Sequence, residues 1–189
     1  MNTYDFDQTI FNPDSSFAFV LYCYRKYPGA TWRTFPKTVL KALQRAAKRI
    51  EMKELKEQIF SFLRYLPDPD EAVKDFWSAK RHRLERWYLE QRRDDDIIIS
   101  ASPEFLLAPI CRELGVRLLA TPMDKRTGEI RGENCHDTEK VRRFREAFPT
   151  AHTECFYSDS LTDTPMARIA DKAYIVSGDK LSPWPFKEN

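Results

Sequence analysis

From Asp94 onward the sequence switches repeatedly between strand and helix patterns, and that alternation constrains the fold more than any other feature. Ile97-Ile98-Ile99 is a β-branched run of the kind found in strands buried on both faces. Ser102-Pro103-Glu104 then opens a helix, with Ser102 as its cap, that runs to Gly115. Arg117–Met123 reads as a strand and Thr127-Gly128 as the turn of a hairpin with Glu129–Arg131. Asp137–Phe148 is a helix stopped by Pro149, and Thr153–Ser158 is another strand. Asp163-Thr164-Pro165 starts a helix to about Ala170, and Ala173–Val176 is the last strand. This succession predicts an α/β fold, a doubly wound parallel sheet with helices on both faces. Residues 2–6 add one short buried strand. The tail Ser182-Pro183-Trp184-Pro185-Phe186 cannot be a regular helix and is expected to pack as an extended strap, with Trp184 or Phe186 buried.

Between the first strand and Asp94 the pattern is helical throughout. Phe17, Val20, Leu21 and Tyr24 fall at helical spacing, and Pro28-Gly29 ends that helix. Phe35, Val39, Leu43, Ala46 and Ile50 form the next apolar stripe, with Lys37, Lys41, Arg45 and Lys48 on the opposite face. Met52, Leu55, Ile59, Phe62 and Leu66 mark a third helix. Asp68-Pro69-Asp70-Glu71 supplies a cap, a Pro at the first helical position and the Glu of a capping box. The helix it opens carries Val73, Phe76, Trp77, Leu84, Trp87 and Tyr88. Residues 14–93 therefore read as an α-helical insertion in a body made of residues 1–13 and 94–189. The insertion holds 18 Lys/Arg against 10 Asp/Glu, a net of +8, while the body holds 13 against 19, a net of −6. A solvated helical surface would look like this. So would a basic cover over an anionic ligand held by an acidic body.

At 189 residues, 42% hydrophobic and 32% charged, the chain has the length and balance of one globular domain carrying an insertion. No apolar run approaches the roughly 18–20 residues of a membrane span, and Asp5 comes too early for a secretory leader. Cys23, Cys111, Cys135 and Cys155 form no C-x-x-C pair, so reduced thiols in a cytoplasmic protein are expected rather than a zinc module. Five glycines leave no room for a glycine-rich phosphate loop. His82, His136 and His152 are too scattered to suggest a metal cluster.

The chemistry concentrates at the predicted strand ends. In Asp5-Phe6-Asp7-Gln8-Thr9 the two carboxylates sit two residues apart, so they can converge on one face beyond the first strand. Two carboxylates this close do not readily both ionise, which gives one nucleophile and one acid. An Asp-x-Asp alone is usually a turn, but three more features join it. Ser100 follows Ile97-Ile98-Ile99 with a hydroxyl and amides available to an oxyanion. Lys140 lies in the first turn of a helix, where the dipole disfavours a cation unless an anion is nearby. Asp159 and Asp163 follow another strand, and carboxylate oxygens are the ligands Mg²⁺ prefers.

In this order, Asp5-x-Asp7-x-Thr9, Ser100, Lys140 and Asp159-x-x-x-Asp163 resemble the four motifs of the haloacid dehalogenase (HAD) superfamily of phosphohydrolases, across the whole chain. Ile98–Phe105, Cys135–Phe144 and Tyr157–Met166 are similar to subfamily IB, the group that includes the phosphoserine phosphatases. The resemblance implies a HAD-like Rossmannoid sheet with an inserted α-helical cap. It implies a Mg²⁺-dependent phosphatase that hydrolyses a small phosphorylated substrate through an aspartyl-phosphate. Asp5 would be the nucleophile and Asp7 the acid and base. Thr9, Ser100 and Lys140 would hold the phosphoryl group. Asp5, the Asp7 carbonyl and Asp159 would hold Mg²⁺, with Asp163 in support. Asp7 separates the chain from the true dehalogenases, which lack the second Asp. Gln8 stands where many members have Gly.

Substrate choice in such enzymes lies in the cap. Phosphoserine phosphatases grip their substrate with a cap Glu and Arg. Here the matching acid is Asp14, one carbon shorter, and Arg25, Arg33, Arg45, Arg49 and Arg64 are all open as the partner. A second reading is a lipid headgroup phosphatase resembling the phosphatidylglycerophosphate phosphatases, with the basic, amphipathic Phe35–Ile50 helix against an anionic membrane. The expected arrangement is the plainer one, in which Phe35, Val39 and Leu43 pack the cap's own core. A third reading is a non-catalytic anion- or nucleic-acid-binding protein, since Trp32, Trp77 and Trp87 lie among basic helices. An acidic body would repel a phosphate backbone, and a pure binder does not need Asp7, Lys140 and Asp159 together. No nucleic acid partner is expected.

Overall fold

Strand β1 (Thr3–Tyr4) is two residues long and lies inside a six-stranded sheet, paired in parallel with β2 (Ile97–Pro103) on one side and β4 (Thr153–Ser158) on the other. In this computed structural model, which describes residues 1–186, the sheet order is β3-β2-β1-β4-β5-β6, with β3 at Arg117–Thr121, β5 at Ala170–Ser177 and β6 at Lys180–Pro183. The chain runs outward from β1 through β2 to β3, then crosses to β4 and β5 on the other side. The reversal falls between β1 and β4, and open α/β sheets bind ligands at such a switch point. The strands are parallel except β6, which pairs antiparallel with β5.

Alternation along the strands divides the core into two layers. Ile98 and Tyr157 belong to one cluster, with Tyr4, Phe6, Trp77 and Leu107. Ile97, Ile99 and Phe156 belong to the other, with Phe144, Met166 and Trp184. Helix α7 (Glu104–Leu114) lies in the first layer; α8 (Thr138–Ala147) and α9 (Thr164–Ala167) lie in the second.

The helical block comprises α1 (Ser15–Lys26), α2 (Pro28–Thr31), α3 (Phe35–Ala46), α4 (Met52–Phe60), α5 (Pro69–Lys80) and α6 (Arg86–Gln91). Its core is aromatic. Phe19, Phe60, Phe62, Phe76 and Trp77 are buried in one cluster continuous with the sheet's first layer. Trp77 anchors the block by donating its indole N–H to the Leu106 carbonyl at 2.6 Å. Asp68 caps α5 as its sequence predicts, accepting from the amides of Asp70 and Glu71 at 2.8 and 3.1 Å. Asp14 caps α1 by accepting from the Phe17 amide at 2.7 Å.

The fold departs from the sequence pattern at several places. Phe35, Val39 and Leu43 do not pack the core of the block; α3 buries none of its residues, and its polar side faces α4. The helix expected from Asp68 through Tyr88 is interrupted by a 3-10 turn at Arg81–Arg83. Helix α3 stops at Ala46 rather than Ile50, and α9 is shorter than expected because β5 begins at Ala170. The tail is partly a strand, β6, followed by Trp184, which is buried, and Phe186, which is exposed.

Candidate active site

The carboxyl ends of β1, β2 and β4 bring the predicted residues together. The Asp5 amide continues the ladder by donating to the Tyr157 carbonyl at 2.8 Å, so its side chain emerges just beyond β1. Lys140, fully buried in the first turn of α8, donates to Asp5 Oδ1 and to Asp163 Oδ2, each at 2.6 Å. Ser158 also donates to Asp163 Oδ2, at 2.8 Å. The anion that a first-turn lysine calls for is thus present twice, as the protein's own carboxylates. Burial alone would depress the Lys140 ammonium; Asp5 and Asp163 outweigh it and hold the group above the usual lysine range. Burial pushes the Asp5 carboxyl up, helped by Asp163 and Asp7 and opposed by Lys140. Asp5 Oδ2 takes no protein hydrogen bond among the described residues.

Asp7 is held differently. Its Oδ1 accepts from the Ser15 amide at 2.6 Å, at the N-terminus of α1, and its Oδ2 accepts from the Ser102 hydroxyl at 2.5 Å. Burial raises its carboxyl to about 6, with Asp14 adding to the rise and the donors Ser102 and Ser15 restraining it. Between Asp7 and Thr9 the backbone of Gln8 turns left-handed, with φ of 56°, a conformation that glycine adopts at lower cost.

Thr9 and Ser100 are buried, and both hydroxyls make contacts that organise the site. Thr9 Oγ1 accepts from the Asp159 amide at 2.9 Å, and Ser100 Oγ accepts from the Ser102 amide at 3.0 Å. Ser102, expected to cap α7, instead lies at the end of β2 and turns its hydroxyl to Asp7. Its place in Ser102-Pro103-Glu104 is the signature of a helix cap, a pattern that carries no sign of its contact with Asp7.

Beside Asp7 opens a cavity of about 380 Å³. Its walls include Asp14, Val20, Lys56, Ile59, Phe60, Asn134 and His136. None of Arg25, Arg33, Arg45, Arg49 and Arg64 lines it. The cation there is Lys56, on α4, which donates to the Ala101 carbonyl and, at 3.0 Å, to Asn134 Oδ1. Burial lowers its ammonium to about 8, against the pull of Asp7 and Asp14. Sequence reading missed Lys56 because one lysine among many in a basic block carries no distinguishing pattern.

A seam holds α4 over the site. Lys53 donates to the Gly132 carbonyl at 2.7 Å, Glu57 accepts from the Ile130 amide at 2.9 Å, and Phe60 lies against Gly128. These residues and Lys56 share one helical face. The loop they meet is the predicted hairpin, closed by an antiparallel bridge between Met123 and Ile130 and turned by Asp124, whose Oδ1 accepts from the amides of Arg126 and Thr127.

The donor set is all oxygen. Among the described residues, Lys140 and Lys56 are the cations beside Asp5, Asp7, Asp159 and Asp163, so the ionised site carries excess negative charge. Among the described residues there is no cluster of three His, Cys, Asp or Glu that would cage a metal. Mg²⁺ does not ask for one, since it takes one or two carboxylates and keeps several waters. Asp5 and Asp159, just beyond the carboxyl ends of β1 and β4, offer carboxylates of that kind.

The sequence of residues 3–168 matches the family described as haloacid dehalogenase-like hydrolase. The chain belongs to that family. A stretch of 83 residues is 37% identical to Protein CicA of Caulobacter vibrioides, covering 40% of this chain and 37% of that protein. A stretch of 96 residues is 35% identical to "Probable phosphatase Rv3661" of Mycobacterium tuberculosis, covering 46% of this chain and 33% of that protein. The matches thus span about a third of the length of these curated relatives. Among solved structures, a Bordetella pertussis protein of unknown function superposes with a TM-score of 0.75 at 21% identity, over 92% of this chain and 87% of that one. A substrate-bound phosphoserine phosphatase superposes with a TM-score of 0.57 at 12% identity, over 90% and 82%. These likenesses show the fold alone.

Proposed function

We propose that this HAD hydrolase is a phosphatase that cleaves a small phosphomonoester through an aspartyl-phosphate on Asp5. The observation that carries the reading is the buried Asp5–Lys140–Asp163 bridge, with a second carboxylate, Asp7, in a separate hydrogen-bonded setting beside it. In phosphoryl transfer, positioning and charge stabilisation supply the rate, and these contacts do both. Asp5 Oδ1 is committed to Lys140, so Oδ2 is the oxygen that attacks phosphorus. Asp7 in its acid form gives its proton to the departing ester oxygen as the P–O bond breaks. It then takes a proton from water as that water attacks the aspartyl-phosphate, which frees inorganic phosphate and regenerates Asp5. Lys140 offsets charge on Asp5 and on the phosphoryl oxygens.

Asp5, the Asp7 carbonyl and Asp159 would hold Mg²⁺, with Asp163 in support through Lys140. The ion would supply charge neutralisation at the phosphoryl group. Thr9 fixes the Asp159 backbone, and Ser100 fixes that of Ser102. Residues 14–93 act as the cap. The cavity under it has apolar walls at Val20, Ile59 and Phe60 and a cation at Lys56, which suits a leaving group with an apolar part and an anionic oxygen. Asp14 is occupied as the α1 cap, which does not favour phosphoserine.

Hydrolysis of p-nitrophenyl phosphate tests the reading. Turnover with Mg²⁺, its loss in EDTA and its loss in a folded Asp5→Asn variant are expected. Full activity of Asp5→Asn would remove Asp5 as the nucleophile.

A further inference from the structure

Helix α3 is docked inside out. Its inward side is polar, with Thr38 Oγ1 donating to the Gln58 carbonyl at 3.4 Å and Lys41 Nζ to Glu54 at 3.0 Å. Its apolar residues face outward. Phe35, Val39, Leu40 and Leu43 are 39, 42, 56 and 64% exposed, and Trp32, just before the helix, is 59% exposed. An amphipathic helix on a folded protein normally does the reverse, and a group of large exposed apolar side chains marks an interaction surface. Trp32 and Phe35 are in ring contact, with centroids 4.9 Å apart, so the aromatic end of the stripe is ordered.

Charge selects the occupant. Between Asp14 and Glu51 there is no acidic residue, while Arg25, Lys26, Arg33, Lys37, Lys41, Arg45, Lys48 and Arg49 all fall there. A second copy of the chain would set this cluster of cations against itself. An anionic bilayer offers both complements, an apolar phase for Phe35, Val39, Leu40 and Leu43 and negative headgroups for Lys37, Lys48 and Arg49.

We infer that α3 is an interfacial helix that seats the protein on an anionic lipid membrane. The docking is independent of turnover, so it stands or falls separately from the phosphatase reading. The test is flotation of the full chain with vesicles of phosphatidylcholine alone or mixed with phosphatidylglycerol. The protein should float with the mixed vesicles at low salt, stay behind with phosphatidylcholine alone, and detach as salt rises. A Leu40→Glu/Leu43→Glu variant, altered only at exposed positions, should bind the mixed vesicles about tenfold less or weaker still while retaining its far-ultraviolet spectrum. No flotation at low salt overturns the inference, as does flotation indifferent to the double substitution. A dimer in light scattering that the same variant dissolves, with no vesicle binding, would assign the face to a second copy instead.

Discussion

Ser102 and Asp7 share a short hydrogen bond in which the serine is donor, and this fixes the direction of a small relay. The Ser102 hydroxyl has one proton, and Asp7 Oδ2 receives it. Ser16, 2.8 Å from Ser102 Oγ, must therefore donate to it. The relay favours the ionised form of Asp7 and holds back the rise that burial imposes.

The first prediction concerns pH. In the proposed role of acid, Asp7 would work while protonated, so kcat/KM should fall as pH rises through its value of about 6. Ser102→Ala removes a donor to the carboxylate and should raise that value, moving the falling limb to higher pH. Substrate ionisation is common to both enzymes and cancels in the comparison. An unmoved limb would remove Asp7 as the group that titrates.

The same carboxyl should burden the fold. A folded-state value above the ordinary one means the native chain binds its proton more tightly than the unfolded chain. Stability from this group is then greatest below about 3.8 and is lost as pH rises towards about 6. Asp7→Asn should raise the melting temperature near neutral pH, by an amount equivalent to about 1–3 kcal/mol, and flatten the decline between mildly acid and neutral pH. Scanning calorimetry at the two pH values checks it.

Lys140 should prove structural as well as chemical. Lys140→Met leaves Asp5 and Asp163 buried together without a cation, a loss of about 3–5 kcal/mol. Turnover should vanish. Adding Asp163→Asn removes one of the stranded charges and should restore part of the stability, but no activity. Denaturant unfolding of the two variants measures the recovery. Full recovery of activity in the double variant would contradict a role for Lys140 at the phosphoryl group.

Much of this arrangement was readable from residue order. Strand and helix periods differ enough that the alternation after Asp94 marks the parallel sheet, and positions after strand ends and at a helix start bring Asp5, Asp163 and Lys140 to one place. What escaped were features whose local signal has two physical meanings. Ser102 has the context of a helix cap, and only the fold aims it at Asp7. Residues 35–46 have a clear apolar face, but a period says that a helix has two sides and not which one meets the protein. Strand β6 is four residues long and ends in Pro183, so its pairing with β5 is decided by tertiary contact rather than propensity.

The last prediction tests the seam between α4 and the hairpin. Gly128 has φ of +78°, and a Cβ placed there would fall 2.6 Å from the backbone of Phe60. Backbone cannot yield as a side chain can, so Gly128→Ala must either push α4 away or distort the turn. Lys56 rides on the same helix one turn earlier, bonded to Ala101 and Asn134, and displacement of α4 would carry it out of the cavity. The variant should keep its sheet and its Asp5–Lys140 bridge, exchange amide hydrogens faster in α4 than the wild type, and show a raised KM with kcat less affected. Lys56→Met should raise KM as well, most for substrates whose leaving group carries an additional anionic substituent and least for p-nitrophenyl phosphate, but leave exchange in α4 slow by comparison. A Gly128→Ala enzyme with unchanged KM and exchange would show that the seam does not hold α4 over the site.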